Sequence, residues 1–252
     1  MKNHSINAVK VWSLDLSMIS ERCWHYYKGC LCIEELERYN RIIDFNQKQQ
    51  FLASKVLLKW AMSNELNVDP LMVKLSYLEH GKPVIHQCHN QPSLAFNLAH
   101  TFGLVVCAIG HNTQIGVDVE YLDRDFEFSE IQDFVFSTSE KGQFYMTDPA
   151  LKKNLFYKTW TMKEAYLKAI GVGLKVPMSG IEFDFSGLEP ILTKTYENAE
   201  KDKYWTFDQC QYEENHMIAV AAMQSSCSRD AVISYEACVP FEQLKKFGHI
   251  VH

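Results

Sequence analysis

Gly116-Val117-Asp118-Val119-Glu120 is followed later in the chain by Trp160-Thr161-Met162-Lys163-Glu164-Ala165-Tyr166-Leu167-Lys168 and then by Gly171-Val172-Gly173-Leu174. In the first segment Ile115, Val117 and Val119 alternate with Asp118 and Glu120, which predicts a strand that buries the valines and turns both carboxylates to its other face. Two carboxylates side by side repel one another, and a hard cation between them relieves the repulsion. Oxygen ligands of this kind suit magnesium when a phosphate completes the coordination. In the second segment, at about 100° per residue, Met162, Ala165, Tyr166, Ala169 and Ile170 fill one arc of a helix while Glu164 and Lys168 share the opposite one. A third carboxylate and a cation therefore stand on one face. Each pattern also has an ordinary explanation. Alternating acids on a half-exposed strand are usually solvated, and Glu164 with Lys168 is the i,i+4 pair that adds roughly 0.2–0.5 kcal/mol to a surface helix.

Around these segments the pattern predicts an opening strand over 9–16 and a helix over 47–66 that stops near Asp69-Pro70. Short strands are expected near 72–78, 93–98 and 104–109, the last two separated by a turn containing His100. Asp148-Pro149 supplies an N-cap and a proline at the first helical position of a long helix through Ile170, which Gly171 and Gly173 terminate. Strands at 181–185, 204–212, 216–223 and 231–239 close the chain. The order helix then strands occurs twice, with no visible sequence repeat.

Composition narrows the function classes. The chain has 252 residues and a formal net charge of −6, which argues against a general nucleic-acid binder. Within this acidic chain Lys152, Lys153, Lys158, Lys163, Lys168 and Lys175 concentrate positive charge, either as a site for a polyanionic small molecule or as a solvated helix face. The eight cysteines form no CxxC pair, which points to a reducing compartment rather than a disulfide framework. His86, Cys88 and His89 lack a second ligand pair at zinc-site spacing and read as a loop. There is no apolar run of membrane-spanning length, and residues 1–10 lack a signal peptide's apolar stretch, so a cytoplasmic protein with no membrane partner is expected.

The two opening segments resemble the signature motifs of the 4′-phosphopantetheinyl transferases, (I/V)G(I/V)D(I/V)E and W(S/T)xKEAxxKxxGxGL, in the same order; the second matches at every fixed position from Trp160 to Leu174. Gly81-Lys82-Pro83 and Phe96-Asn97-Leu98-Ala99-His100 resemble that family's GKP and FNxSH motifs. The stretch from Gln50 to Lys59 resembles its R-F-L-A-x-R-x-L-L-R helix. The length is similar to the larger, single-chain Sfp-type branch rather than to the short trimeric holo-acyl-carrier-protein synthases. That likeness implies an α+β fold, a pseudo-dimer of two similar α/β halves in one monomer. The halves would be 1–112 and 113–252, the second carrying the magnesium and catalytic motifs.

The resemblance also implies an activity: transfer of the phosphopantetheine arm of coenzyme A to a serine of an apo acyl or peptidyl carrier protein, with release of adenosine 3′,5′-bisphosphate. It sets Asp118, Glu120 and Glu164 around Mg2+ at the coenzyme A pyrophosphate. Lys168 would stand on the bridging and leaving oxygens, with Lys163 in support. Lys82 and Pro83 would lie along the adenine and ribose, His100 against the 3′-phosphate, and Lys55, Arg38 and Arg41 near the same phosphates. Two carboxylates are candidates for the general base. One is Glu164; the other is Glu140 in Phe136-Ser137-Thr138-Ser139-Glu140, which is similar to the family's FFSxxE element with Val135 for its first phenylalanine. Ser137-x-x-Glu140 is equally a capping box. Departures from the family pattern are Ala99 for serine, Gln50 for the leading arginine, and Lys55 and Lys59 for two more. Lysine keeps the charge but loses the bidentate fork, which implies a weaker or rearranged grip on the 3′-phosphate. A homologue that docks carriers without transferring anything is therefore the alternative, and a magnesium-dependent nucleotide hydrolase would use the same acids without a carrier.

Overall fold

Alternation in the 115–121 segment does produce a strand, and the helix carrying Glu164 and Lys168 packs directly on it. The computed structural model describes residues 8–77, 83–85, 94–111, 113–124, 130–173, 176–195, 204–224 and 232–242. In chain order these form β1 (Ala8–Asp15), α1 (Glu21–Gly29), α2 (Ile33–Arg41), α3 (Phe45–Leu66), β2 (Leu75–Tyr77), β3 (Pro83–Ile85), β4 (Leu94–Thr101) and β5 (Leu104–His111). There follow β6 (Ile115–Tyr121), α4 (Gln132–Val135), α5 (Thr138–Met146), α6 (Pro149–Ile170), β7 (Glu182–Asp184), β8 (Ile191–Lys194), β9 (Tyr204–Tyr212), β10 (His216–Gln224) and β11 (Val232–Ala237).

The two principal sheets have the orders β11-β1-β5-β4 and β6-β10-β9. All their pairings are antiparallel except β1 with β11. Period-two alternation then builds the layers. Trp12, Leu14, Val105, Cys107 and Ile109 turn to one side and meet Leu52, Val56 and Leu57 of α3. Val9, Val11, Leu104, Val106 and Ala108 turn to the other, where they meet Ile115, Val117, Val119, Ile218 and Val220 of the second sheet. The opposite face of that sheet, Met217, Ala219 and Ala221, packs on Met162, Ala165 and Tyr166 of α6. The order through the molecule is helix, sheet, sheet, helix: two α+β halves, each a 22-residue helix on its own sheet. Both helices are capped as their sequences require. Asp44 accepts from Gln47 N–H and Asn67 ends α3 in the left-handed region, while Asp148 accepts from Ala150 N–H and Gly171 ends α6 at φ 77°.

Several expectations are corrected. His100 lies in β4 rather than in a turn; Thr101 pairs with Leu104, and the turn is Phe102-Gly103, with Gly103 at φ 79°. The strand expected from 72 begins only at Leu75, because Asp69 caps a 3-10 turn over Pro70–Met72. Two helices unread in the sequence, α1 and α2, cover α3. Ser137-x-x-Glu140 opens α5 as a complete capping box. The halves are also not separate along the chain. β11 crosses back to pair with β1, and behind it Phe241 packs against Tyr26, Tyr27 and Trp60 while the Tyr27 hydroxyl donates to Pro240 O at 2.9 Å. Among the described residues no helix is long and apolar enough to cross a membrane.

Candidate active site

Gly116 decides how closely α6 approaches β6. A Cβ at this position would stand 2.0 Å from Ala165 O and 2.5 Å from Ala169 N, so the helix backbone rests on the strand where only a hydrogen fits. That approach brings residues 164 and 168 to the free edge of β6. There the Lys168 ammonium donates to Asp118 Oδ1 at 2.6 Å and to Val117 O at 3.2 Å. The Val117 N–H, on the same edge, donates to Asn97 Oδ1 at 3.1 Å. Both edge groups of Val117 are thereby satisfied by side chains, one from each half of the molecule.

The charges at this edge do not balance. Asp118 is only 5% exposed, and its Oδ2 is buried with no hydrogen-bond partner among the described residues. Glu120 accepts from the Trp160 indole N–H at 3.0 Å. Burial, then the Asp118 charge, pushes the Glu120 carboxyl up to about 7, and the same two causes raise Glu164 to about 7. Burial alone would pull the Lys168 ammonium down, but Asp118, Glu164 and Glu120 together leave it above the usual lysine value. Partial loss of water and then the Lys168 charge lower the His100 imidazole, a residue that still reaches solvent, against the pull of Asp118. Three carboxylates thus face one cation.

Does this donor set fit a divalent ion? The ligands are all carboxylate oxygens, one of them an orphaned buried atom, and their mutual repulsion is what an oxygen-seeking cation relieves. Among the described residues no three acidic, histidine or cysteine side chains are yet gathered closely enough to hold an ion by themselves. The donor set is of the type a hard divalent cation takes, and it would need oxygen ligands from outside the described residues to complete its coordination.

Other expected residues lie elsewhere. Lys163, read as a phosphate ligand, points away from the acid cluster: its ammonium is 0% exposed and donates to Glu140 Oε2, Val135 O and Met178 O. The reason is rotational, since residue 163 sits about 100° round the helix from Glu164, toward α4, α5 and β7. Glu140, the second candidate base, is spent in the same place. It accepts from Lys163, from Ser137 N–H at 2.8 Å and from Phe183 N–H at 3.3 Å. Lys55 and Arg38 flank the Phe51 ring at 5.3 and 5.5 Å, and burial lowers the Lys55 ammonium to about 8. Lys59 is drawn inward to Glu35 at 2.8 Å, and Arg41, 79% exposed, pairs with Glu37. Lys82 and the Pro83 side chain, together with the His86, Cys88 and His89 loop, lie outside the described residues. Sequence reasoning assigned no role to Trp160 or Asn97. Trp160 stands one turn before Glu164, and that spacing on a helix placing Glu164 beside β6 was the available signal.

Comparison with known proteins bears on the family of the chain. Residues 18–112 match the family model described as 4′-phosphopantetheinyl transferase, N-terminal, and residues 114–221 match that of the 4′-phosphopantetheinyl transferase superfamily. The 4′-phosphopantetheinyl transferase HetI of Nostoc sp. is 32% identical over 165 residues, which cover 66% of this chain and 69% of that protein. The L-aminoadipate-semialdehyde dehydrogenase-phosphopantetheinyl transferase of Mus musculus is 28% identical over 219 residues, covering 81% of this chain and 70% of its own. A holo-(acyl-carrier-protein) synthase from Bacillus anthracis, solved in complex with CoA (3′,5′-ADP), aligns over 45% of this chain and 96% of its own at 21% identity and a TM-score of 0.38.

Proposed function

The chain belongs to the 4′-phosphopantetheinyl transferase superfamily, and from that premise we propose that the acid cluster at the β6–α6 contact is its catalytic centre. The enzyme transfers the phosphopantetheinyl group of coenzyme A to a carrier protein. The observation that carries the placement is the convergence of Asp118, Glu120, Glu164 and Lys168 at β6, with Asp118 Oδ2 buried and without a partner among the described residues.

In the reaction the carrier serine oxygen bonds to the phosphorus that bears the pantetheine arm. The bond from that phosphorus to the bridging oxygen breaks, and adenosine 3′,5′-bisphosphate leaves. Such transfers demand positioning and charge neutralisation more than covalent chemistry. Asp118, Glu120 and Glu164 would hold magnesium, which when bound would neutralise pyrophosphate oxygens. Lys168, held by Asp118 and the Val117 carbonyl, would neutralise charge on the leaving oxygens. Glu164 takes the serine proton. Its assignment over Glu140 is supported by the three partners that already occupy Glu140. His100 faces the 3′-phosphate, next to the charges of Lys168 and Asp118. We further propose a monomer, since both halves are already in one chain, and a cytoplasmic setting, for which the free cysteines Cys23, Cys30, Cys32, Cys107, Cys210 and Cys238 are support.

Mass spectrometry of apo-carriers incubated with coenzyme A, magnesium and the enzyme tests this reading. The expected result is a carrier heavier by one phosphopantetheinyl group on its serine. Binding of carrier with no mass gain across fatty-acid, polyketide and peptide carriers would favour the docking-only alternative, and product formed from coenzyme A alone would favour a hydrolase.

A further inference from the structure

The turn joining β4 to β5 is held with unusual completeness. Its three consecutive carbonyls, Thr101, Phe102 and Gly103, are each taken by a different element. Gln50 Nε2 of α3 donates to Thr101 O at 2.8 Å, His216 Nε2 of β10 donates to Phe102 O at 2.8 Å, and Leu16 N donates to Gly103 O at 2.9 Å. Because a carbonyl only accepts, the His216 bond fixes its tautomer with the proton on Nε2. His216 Nδ1 is then buried with no partner among the described residues, so this ring is committed to the one bond. The Phe102 ring lies 5.2 Å from Tyr121, whose ring is in turn 5.2 Å from His216. Farther along the same hairpin, Asn97 Oδ1 takes the Val117 N–H on the free edge of β6.

His100 lies between these ties, with Asn97 on one side and Thr101 and Phe102 on the other. We infer that Asn97 and His216, with Gln50 behind them, are positioning residues that clamp the His100 hairpin of the first half against β6 of the second. The clamp sets the distance between the group that meets the 3′-phosphate and the acids that meet the pyrophosphate. The 3′-phosphate and the pyrophosphate of one coenzyme A molecule must be gripped at once, and the two grips stand on different sheets. Gln50 thereby gains a function of its own: where the family pattern has an arginine, this chain has an amide that ties down the peptide next to His100.

This inference rests on the proposed contact of His100 with the 3′-phosphate, and the test separates the two. KM and kcat for coenzyme A and for dephospho-coenzyme A are measured in the wild type, His216→Phe, Asn97→Ala, His100→Ala and the two double variants with His100→Ala. His216→Phe keeps the ring and its neighbours but removes the N–H donor. The expected result is a wild-type preference for coenzyme A that falls about tenfold, or ~1.4 kcal/mol, in either clamp variant. Neither should lower it further once His100 is alanine, because residues acting through one contact are not additive. His216→Gln, which keeps an N–H donor, and Asn97→Asp, which keeps the acceptor, should restore the preference. Should Asn97→Ala be too unstable to assay, Gln50→Ala carries the same measurement. Folded clamp variants that keep the full preference, or that lower it equally with and without His100, would overturn the inference while leaving His100 in place. Equal use of both substrates by the wild type would instead overturn the His100 contact, and the clamp with it.

Discussion

Gly116→Ala tests the contact on which the whole site depends. The added methyl would lie 2.0 Å from Ala165 O and 2.5 Å from Ala169 N, and real Cβ contacts essentially never fall below 3.0 Å. Both obstacles are helix backbone, so no rotamer change relieves them, and α6 must retreat locally by about 1 Å. Overpacking of this kind costs about 1–3 kcal/mol. For a chain of this size that is a fall in melting temperature on the order of 2–12 °C. Catalysis should suffer more, because a displacement of about 1 Å between reacting groups can cost roughly 100-fold in rate. The retreat separates Glu164 and Lys168 from Asp118, which they must meet across this contact. Thermal melting and initial rates of carrier modification read the two effects separately. Gly142→Ala is the control, since a Cβ there meets nothing within 4 Å and the residue lies inside α5; it should gain about 0.5–1 kcal/mol. Wild-type turnover and an unchanged melting temperature in Gly116→Ala would refute the claim that this close approach builds the site.

Asp118→Ala or Glu120→Ala should abolish transfer while the protein stays folded, as judged by melting and mass spectrometry; near-wild-type transfer with strict magnesium dependence would remove these acids from the site. Lys163→Met strands Glu140 as a buried charge and should cost about 3–5 kcal/mol in chemical denaturation. Glu140→Gln should keep turnover per folded molecule at some cost in stability, because the glutamine oxygen can still accept from Ser137 N–H and Lys163 while its amide nitrogen cannot replace the acceptor that Phe183 N–H uses; a sharp loss of rate with coenzyme A binding intact would restore Glu140 as the base. In metal-free protein, Glu120 and Glu164 titrate at about 7 against an ordinary 4.5, so the folded state holds protons that the unfolded chain releases. Their contribution to stability is therefore full below pH 4.5 and is lost as the pH rises through about 7. Melting temperatures recorded with a chelator should fall across that window, and the fall should shrink in a Glu120→Gln, Glu164→Gln double variant; an identical slope in both proteins would contradict the assignment.

The parts of this architecture that local chemistry encodes were legible in the sequence. Asp148-Pro149 and Gly171 bound α6 as their capping rules require, and the valines of β6 declared its buried face. What escaped is non-local. Asp118 looked half-exposed because nothing in its own segment says that a helix will lie over it. Ser137-x-x-Glu140 could be read as a cap, but the Lys163 ammonium that completes its pairing arrives from another helix. α2 went unread because its N-cap is a cysteine, Cys32, where serine, threonine or aspartate would have signalled a start. α1 does carry such a signal, Ser20 accepting from Cys23 N–H, but its short span of nine residues gives little helical periodicity to set beside the cap.

The return of β11 to the edge of β1 has a consequence for biosynthesis. On the ribosome the first half emerges early, yet β1 has β5 on one side only until residues 232–237 have been made. A nascent chain carrying an unpaired strand edge is open to pairing with other chains, and closing a contact of such sequence separation is slow. The newly made protein thus spends much of its synthesis with one seam unsewn, and β11, the last of the described strands, is the one that covers β1.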